Sequence, residues 1–227
     1  MYERETAQHG KLYGMRLELG RPIRCSDGEF GELADIVVDP TNKRVTHVVA
    51  RPHKLDGVSR LAPIELVDDE DGLTLGCSID DATKLPALQE TAYLRLGEVP
   101  VSDPKWDVGV QDVLAMPYYG GEFGAFAGDL DTYGVTYDRV PKGEVEVRRA
   151  SSVASSDGEF IGEVDGFVVD ADEHITHFVL ERGHLWGQRE VTIPIGAVAK
   201  VETDLVTLQL SKKEVGDLPS VRVHRWF

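Results

Sequence analysis

One passage of this sequence occurs twice, and that repetition constrains the fold more than any other feature. Residues 25–39 read CSDGEFGELADIVVD, and residues 155–170 read SSDGEFIGEVDGFVVD. Further matches follow in the same order, namely Val45-Thr46-His47 with Ile175-Thr176-His177, Pro63-Ile64 with Pro194-Ile195, Thr74-Leu75 with Thr207-Leu208, and Leu85-Pro86 with Leu218-Pro219. The offset drifts only from 130 to 133 residues. The sequence therefore predicts two homologous units of about 65 to 70 residues.

Short strands separated by tight turns are predicted within each unit. Asp27-Gly28 and Asp157-Gly158 lie between apolar runs. Asp-Gly in this setting predicts a β-hairpin, because glycine adopts positive φ without steric cost. Runs of β-branched residues resume at Val45 and Ile175, after a second polar turn. Short and closely spaced strands without a long helix favour a small closed barrel over a sandwich.

The predicted ends of the units are a lead-in strand and a final helical turn. Residues 144–149 alternate valine with charged residues, which predicts a strand leading into the second unit. Residues 211–214 read SKKE, which is the capping-box pattern, and residues 78–81 read SIDD, a weaker version. Each unit should therefore end in one turn of helix, with little helix elsewhere.

The order of these motifs resembles the PRC-barrel family. D-G, G-E, an apolar run and V-V-D are followed by T-H-V-V or T-H-F-V, then by P-I and by T-L, across residues 20–88 and 150–221. Two such units in an acidic chain, with GHLWGQREVTIPIGAV in the second, are similar to tandem PRC-barrel proteins of the actinobacterial type. The resemblance implies a six-stranded barrel that serves as an assembly or docking module. It implies no catalytic site.

The predicted fold is all-β, with two tandem, small, about six-stranded PRC-type barrels. The predicted segments are an N-terminal segment 1–19, a first repeat 20–88, a linker 89–143, and a second repeat with a C-terminal tail 144–227. The linker is rich in glycine and aromatic residues, and its Gly and Asp content argues against a long helix. We expect largely irregular chain there, partly draped over a barrel.

Strong acidity limits the expected partners. Against 24 Lys and Arg stand 40 Asp and Glu, for a formal net charge of −16. This charge repels nucleic-acid phosphate and anionic lipid, so direct nucleic-acid binding is not expected. Stretches free of charged residues reach only about nine residues, against the ~20 apolar residues of a spanning helix, so no membrane insertion is expected. The first residues lack the pattern of a secretion signal, and a cytoplasmic location is expected.

The two cysteines lie near the first and last predicted strands of the first unit, and a barrel could bring Cys25 and Cys77 together. A disulfide is one alternative. Reduced, structural thiols are the other, and they are favoured for a cytosolic protein.

No combination of residues predicts catalysis, a metal site or a cofactor. His47 and His177 recur beside β-branched neighbours, which favours a structural hydrogen-bonding role. His174 and His177 are three residues apart on a strand, so they point to opposite faces and cannot share one ion. We therefore expect a protein that is not an enzyme and has no cofactor and no metal.

An aromatic loop in the second unit is the candidate binding surface. Two glycines bracket a His-Leu-Trp sequence, and tryptophan is enriched among residues that dominate binding energy. The candidate protein-binding residues are His184, Leu185 and Trp186, together with Tyr118 and Tyr119 of the linker. The alternative for Trp186 is packing onto its own barrel, onto the first unit or onto the linker.

The expected function is a protein-binding, assembly or scaffold module that binds a protein partner or self-associates. One alternative is small-molecule or cofactor binding in the crevice between the barrels, with the aromatic linker as a lid. Association with the ribosome, by analogy with the family, is another.

Overall fold

A computed structural model gives the architecture of the chain, and it describes residues 14–53, 57–95, 105–108, 116–117, 132–182, 189–202 and 204–218. The described chain is mostly β, with 55% in strands and two short helices. The all-β class is therefore confirmed.

The elements follow the two sequence units and the linker between them. The first part contains β1 Met15–Glu18, β2 Pro22–Cys25, β3 Gly28–Asp39, β4 Arg44–Pro52, β5 Arg60–Pro63, β6 Val67–Asp68, β7 Thr74–Leu75 and α1 Ile79–Lys84. The linker contributes β8 Gln89–Arg95, β9 Trp106–Val108, β10 Met116–Pro117 and β11 Thr132–Pro141. The last part contains β12 Val145–Arg148, β13 Ser152–Ala154, β14 Phe160–Val169, β15 Ile175–Arg182, β16 Arg189–Pro194, β17 Val198–Val201, β18 Leu205–Leu208 and α2 Lys212–Gly216.

Both predicted helical turns are present and capped as the sequence indicates. The Ser78 hydroxyl accepts a hydrogen bond from the Asp81 backbone N–H at the start of α1. At the start of α2, Ser211 and Glu214 form the full reciprocal capping box. A cap serves N–H groups that the first helical turn leaves without a partner, so this short local pattern suffices to start a helix.

Two seven-stranded sheets share one strand order. The first runs β5-β4-β3-β2-β7-β6, and the second runs β16-β15-β14-β13-β18-β17. Each path contains six strands of one unit, and each has one parallel pairing, β2 with β7 and β13 with β18. The predicted strand number of about six per unit agrees with these paths.

The sheets are not closed barrels, and the prediction of closed barrels is wrong on this point. Within the described residues, β5 and β6 are the end strands of the first sheet, and β16 and β17 are those of the second. A proline and a three-residue 3-10 turn separate the end strands in each unit, with Pro63 before Ile64–Leu66 and Pro194 before Ile195–Ala197. Proline has no N–H to donate and the turn redirects the chain, so the strands on either side do not pair.

The seventh strand of each sheet comes from the other unit. Strand β1 pairs antiparallel with β14, which places Leu17 opposite Phe167. Strand β12 pairs antiparallel with β3, which places Val147 opposite Ile36. The strand predicted at residues 144–149 therefore exists as β12, but it joins the sheet of the first unit instead of the second. The two units exchange their lead-in strands.

Side chains support the two exchanged strands differently. A Cβ added to Gly166 would lie 2.6 Å from the Leu17 carbonyl oxygen, so only glycine leaves room for β1 at this point. Asp35 occupies the equivalent position opposite β12, and its Oδ1 accepts a hydrogen bond from the Arg149 backbone N–H at 3.0 Å. Close backbone packing against Gly166 thus stabilises the exchanged strand β1, and the Asp35 carboxylate stabilises the end of the exchanged strand β12.

The equivalent turns of the two units also meet. The Val45 N–H donates to the Glu173 carbonyl at 3.0 Å, and the Ile175 N–H donates to the Lys43 carbonyl at 2.9 Å. Lys43 and Glu173 both have positive φ, 56° and 66°, and Arg44 forms an ion pair with Glu173. These reciprocal contacts continue the exchange seen in the strands.

One hydrophobic core contains residues of both units. It includes Leu17, Ile36, Val147, Phe167 and Phe178, all at most 1% exposed. The rings of Phe167 and Phe178 meet edge to face, with centroids 4.9 Å apart. Because the exchanged strands place residues such as Leu17 and Val147 in this core, the core is shared by the two units.

The described parts of the linker form a sheet of their own. Strand β8 pairs with β11 over seven residue pairs, and β9 and β10 also pair with β11. The sequence predicts largely irregular chain here. Short polar and Gly-rich stretches give no local signal for strand pairing between residues that are far apart in the sequence. Val140 packs with Val37 and Leu61 on the outer face of the first unit, beside Trp106, and the Arg139 guanidinium lies 4.8 Å from the Trp106 ring centroid.

Candidate functional site

A pocket of about 300 Å³ lies where the two units meet. We call it the junction pocket. Its lining comes from the β3–β4 turn of the first unit and from the start of β15, the 3-10 turn and β17 of the second, namely Val38, Asp39, Pro40, Lys43, Ile175, Ile195, Val198, Ala199, Lys200 and Val201. Its volume is at the lower end of the ~300–1,000 Å³ typical of small-molecule sites.

The floor of the junction pocket is apolar and its rim is charged. Val38, Ile175 and Val198 are buried core residues. On the rim, the Lys43 ammonium donates to the Ile195 carbonyl at 3.4 Å, and the Lys200 ammonium pairs with the Glu202 carboxylate at 2.6 Å. This arrangement suits a ligand with an apolar body and a polar end.

The third charged residue of the rim, Asp39, stabilises the turn. Its Oδ1 accepts hydrogen bonds from the Thr41 and Asn42 backbone N–H groups at 2.8 and 3.2 Å, and its Oδ2 accepts one from the Asn42 side chain at 2.6 Å. Desolvation opposes its ionisation, but the bonds from Asn42 and Thr41 outweigh this and lower the pKa of the carboxyl. Both oxygens are therefore directed into the turn.

The recurring histidines have the same local contacts in both units. Nδ1 of His47 lies 3.1 Å from the Thr46 Oγ1, and Nδ1 of His177 lies 3.1 Å from the Thr176 Oγ1. Each threonine hydroxyl in turn lies within hydrogen-bond distance of a carbonyl of the neighbouring strand. Both histidines thus take part in hydrogen bonds within their strands, and their purely structural role stays a prediction.

Among the described residues, a carboxylate accompanies only one of these histidines. Glu144 Oε2 lies 2.5 Å from Thr46 Oγ1 and 3.6 Å from Nδ1 of His47. Hydroxyl and carboxylate therefore approach the same ring nitrogen, whereas a nucleophile triad needs them at opposite nitrogens. The three groups do not form a catalytic relay.

We expect His177 to make stability depend on pH. Burial lowers the pKa of His177, so the folded protein favours the neutral ring. The unfolded chain takes up the proton more readily, so the free energy of unfolding should decrease as pH falls below about 6.5. Urea unfolding at pH 7 and pH 5 should show a larger decrease for the wild type than for His177→Gln. Equal decreases would contradict this role.

The two cysteines come close together, as a folded first unit allows. The Ser26 N–H and hydroxyl both donate to the Cys77 carbonyl, at 2.9 and 3.1 Å, which fixes Cys77 beside the strand that carries Cys25. Both thiols are free. Burial first, and then the neighbouring Cys77 and Asp27, raise the pKa of Cys25 to about 12. Cys25 is therefore a protonated core thiol.

The predicted binding residues lie outside the described residues, namely His184, Leu185, Trp186, Tyr118 and Tyr119. Among the residues that are described, no cluster of three or more His, Cys, Asp or Glu could hold a metal ion. Searching the same residues finds no helix with the length and apolar character to cross a bilayer. The cytoplasmic location stays a prediction.

The sequence suggests a crevice between the units as one alternative, but it does not indicate which residues line it. Lys43 and Lys200 are 157 positions apart by their numbers and belong to different units. Alignment of the two repeats gives a signal for this pocket. Glu173 aligns with Lys43, and the acidic run Asp68–Glu70 aligns with the segment around Lys200, so the charge is reversed between the repeats.

The fold defines a β protein built from two units with one strand order, a shared core and an apolar pocket between them. Residues 149–215 match the PRC-barrel domain family, so the second unit contains a PRC-barrel domain. No curated protein matches the chain.

Proposed function

We propose that this chain is a non-enzymatic tandem PRC-barrel protein, of the actinobacterial type, that binds a protein partner or a second copy of itself as an assembly module. The family match covers only the second unit. The equal strand order of the two sheets and the repeated motifs support extending the assignment to the first unit.

The observation that carries this proposal is the exchange of β1 and β12. Exchanged strands and a common core join two units into one body, so their outer surfaces keep a fixed relation. A body of this kind can hold a partner against two surfaces at once, which raises the effective affinity of a bivalent contact. The net charge of −16 disfavours nucleic acid and anionic membranes as partners.

Substitution of Trp186 tests the binding surface. Trp186→Ala should weaken capture of the partner by ~2 kcal/mol, about 30-fold, while the melting temperature stays nearly unchanged, because an aromatic anchor of a binding surface contributes to binding and not to folding. Affinity purification from the native cell with mass spectrometry identifies the partner, and quantitative pull-down with thermal unfolding measures both effects.

Trp106→Ala is the matched control, because Trp106 packs against the first unit. It should lower stability and leave capture unchanged. A loss of ~3–5 kcal/mol in stability for Trp186→Ala, with capture unchanged, would show that Trp186 is a packing residue and would remove it from the binding surface.

A second candidate function is binding of a small molecule, and the junction pocket is the observation that favours it. A ligand there would contact both units, so it should stabilise the whole chain against unfolding by mass action. A thermal-shift screen of small metabolites would detect it. Ala199→Phe, which fills the pocket from its exposed side, is the blocked control.

A further inference from the structure

We propose that the junction pocket binds a small organic anion, a monocarboxylate with an apolar body. This inference rests on the second candidate function above and names its class of ligand. The apolar body would lie on Val38, Ile175 and Val198, and the carboxylate would meet the lysines of the rim.

The position of Lys43 supports an anionic ligand. Its ammonium carries three N–H donors. Among the described residues, one acceptor contacts it, the Ile195 carbonyl at 3.4 Å, which is a long hydrogen bond. Two donors can therefore serve a ligand without breaking an ion pair. The Lys200 ammonium adds positive charge on the same rim, and its Glu202 partner lies on an exposed surface where the pair is weak.

The same structural position in the other half of the protein carries the opposite charge. Glu173 is the equivalent of Lys43, and both have positive φ in the matching turn. Lys200 and Asp68 are equivalent as well. Lys200 lies opposite Thr207 in the second sheet, and Asp68 lies opposite the matching residue, Thr74, in the first. The exchange of strands thus creates two equivalent corners that differ in charge at these two positions, with lysines in one and acids in the other.

Cations of the chain pair with acids in the acidic corner and beside it. Arg44 pairs with Glu173, and Arg21 pairs with Asp69 at 2.6 Å. The lysine corner has a pocket in which apolar Ala199 and Val201 flank Lys200, whereas Asp69 and Glu70 follow Asp68 in the acidic corner. In a chain of net charge −16, the lysine corner has its two lysines beside Asp39, whose two oxygens are held by the turn, and its apolar floor suits a ligand which is both anionic and apolar.

The test titrates the full chain with octanoate, octan-1-ol and octylamine, and follows the methyl signals of Ile175, Ile195 and Val198 by NMR. We expect octanoate to shift these signals and to bind about tenfold more tightly than octan-1-ol, because only the carboxylate is an ionised acceptor that can form an ion pair with the lysine. Lys43→Gln should weaken octanoate binding about tenfold and leave octan-1-ol binding unchanged. Lys142→Gln is the matched control, since Lys142 is exposed and does not line the pocket.

The outcomes separate the class of ligand from the pocket itself. If octan-1-ol or octylamine shifts the same methyl signals as strongly as octanoate, or if Lys43→Gln binds octanoate normally, the anion proposal is overturned while small-molecule binding stands. If none of the three probes shifts these signals, both proposals are overturned. Ala199→Phe should abolish the octanoate shifts, and unchanged binding by this variant would place octanoate elsewhere and overturn the inference.

Discussion

Residues 144–227 expressed alone are expected to form no stable native structure. This fragment lacks β1, which covers β14 and places the fully buried Leu17 opposite Phe167. Its own β12 loses β3, the strand with which it pairs among the described residues. Unpaired backbone groups and apolar core residues left uncovered both favour the unfolded chain. Circular dichroism during heating should show no cooperative transition.

The two halves should restore the fold when they are produced together. A chain divided between residues 117 and 118 supplies β1 on one fragment and β12 on the other, so each fragment provides the strand that its partner needs. We expect a folded 1:1 complex by analytical ultracentrifugation. Leu17→Asp should prevent assembly, because it buries an unpaired charge, whereas Glu18→Gln in the same strand should allow it. A monomeric 144–227 fragment with a cooperative transition would show that the exchange is not required for folding.

Phe167→Ala is expected to lower the free energy of unfolding by ~3–5 kcal/mol, the usual loss for a fully buried aromatic residue. Phe167 is 0% exposed, lies opposite Leu17 of the exchanged strand, and meets Phe178 edge to face. Because the core is shared, the loss should appear in a single unfolding transition of the whole chain. Urea unfolding measures both the free energy and the number of transitions.

Phe160→Ala is the matched control for this substitution. Phe160 is in the same strand but is 54% exposed, so its removal should change stability by ~0.5 kcal/mol or less. Two separate transitions, with only one of them affected by Phe167→Ala, would contradict a shared core.

Local features of this fold are well predicted from the sequence. The Asp-Gly hairpins, the capped turns at Ser78 and Ser211, and the strand at residues 144–149 all appear where their patterns indicate. Each depends on neighbours within a few residues, such as a glycine that permits a turn or a serine that accepts a backbone hydrogen bond. The match of residues 149–215 to the PRC-barrel domain agrees with the resemblance carried by the same motifs.

The sequence pattern of a strand does not specify the strand with which it pairs. Alternation of Val145 and Val147 with charged residues determines which face of β12 is buried, because side chains alternate across a strand. It does not determine which neighbouring edge β12 joins, because backbone N–H and C=O groups are the same on every strand. The shared core decides this, by placing Val147 against Ile36 of the first unit.

The repeat, the short strands and their turns, and the helical caps were determined by the sequence alone, since each can be recognised from short stretches of consecutive residues. Only the tertiary structure decided that the sheets stay open, that the lead-in strands are exchanged, and that Lys43 and Lys200 line one pocket. The physical reason is that the exchange and the pocket depend on contacts between residues more than a hundred positions apart. Such contacts are selected by the burial of a common core, which no local pattern specifies.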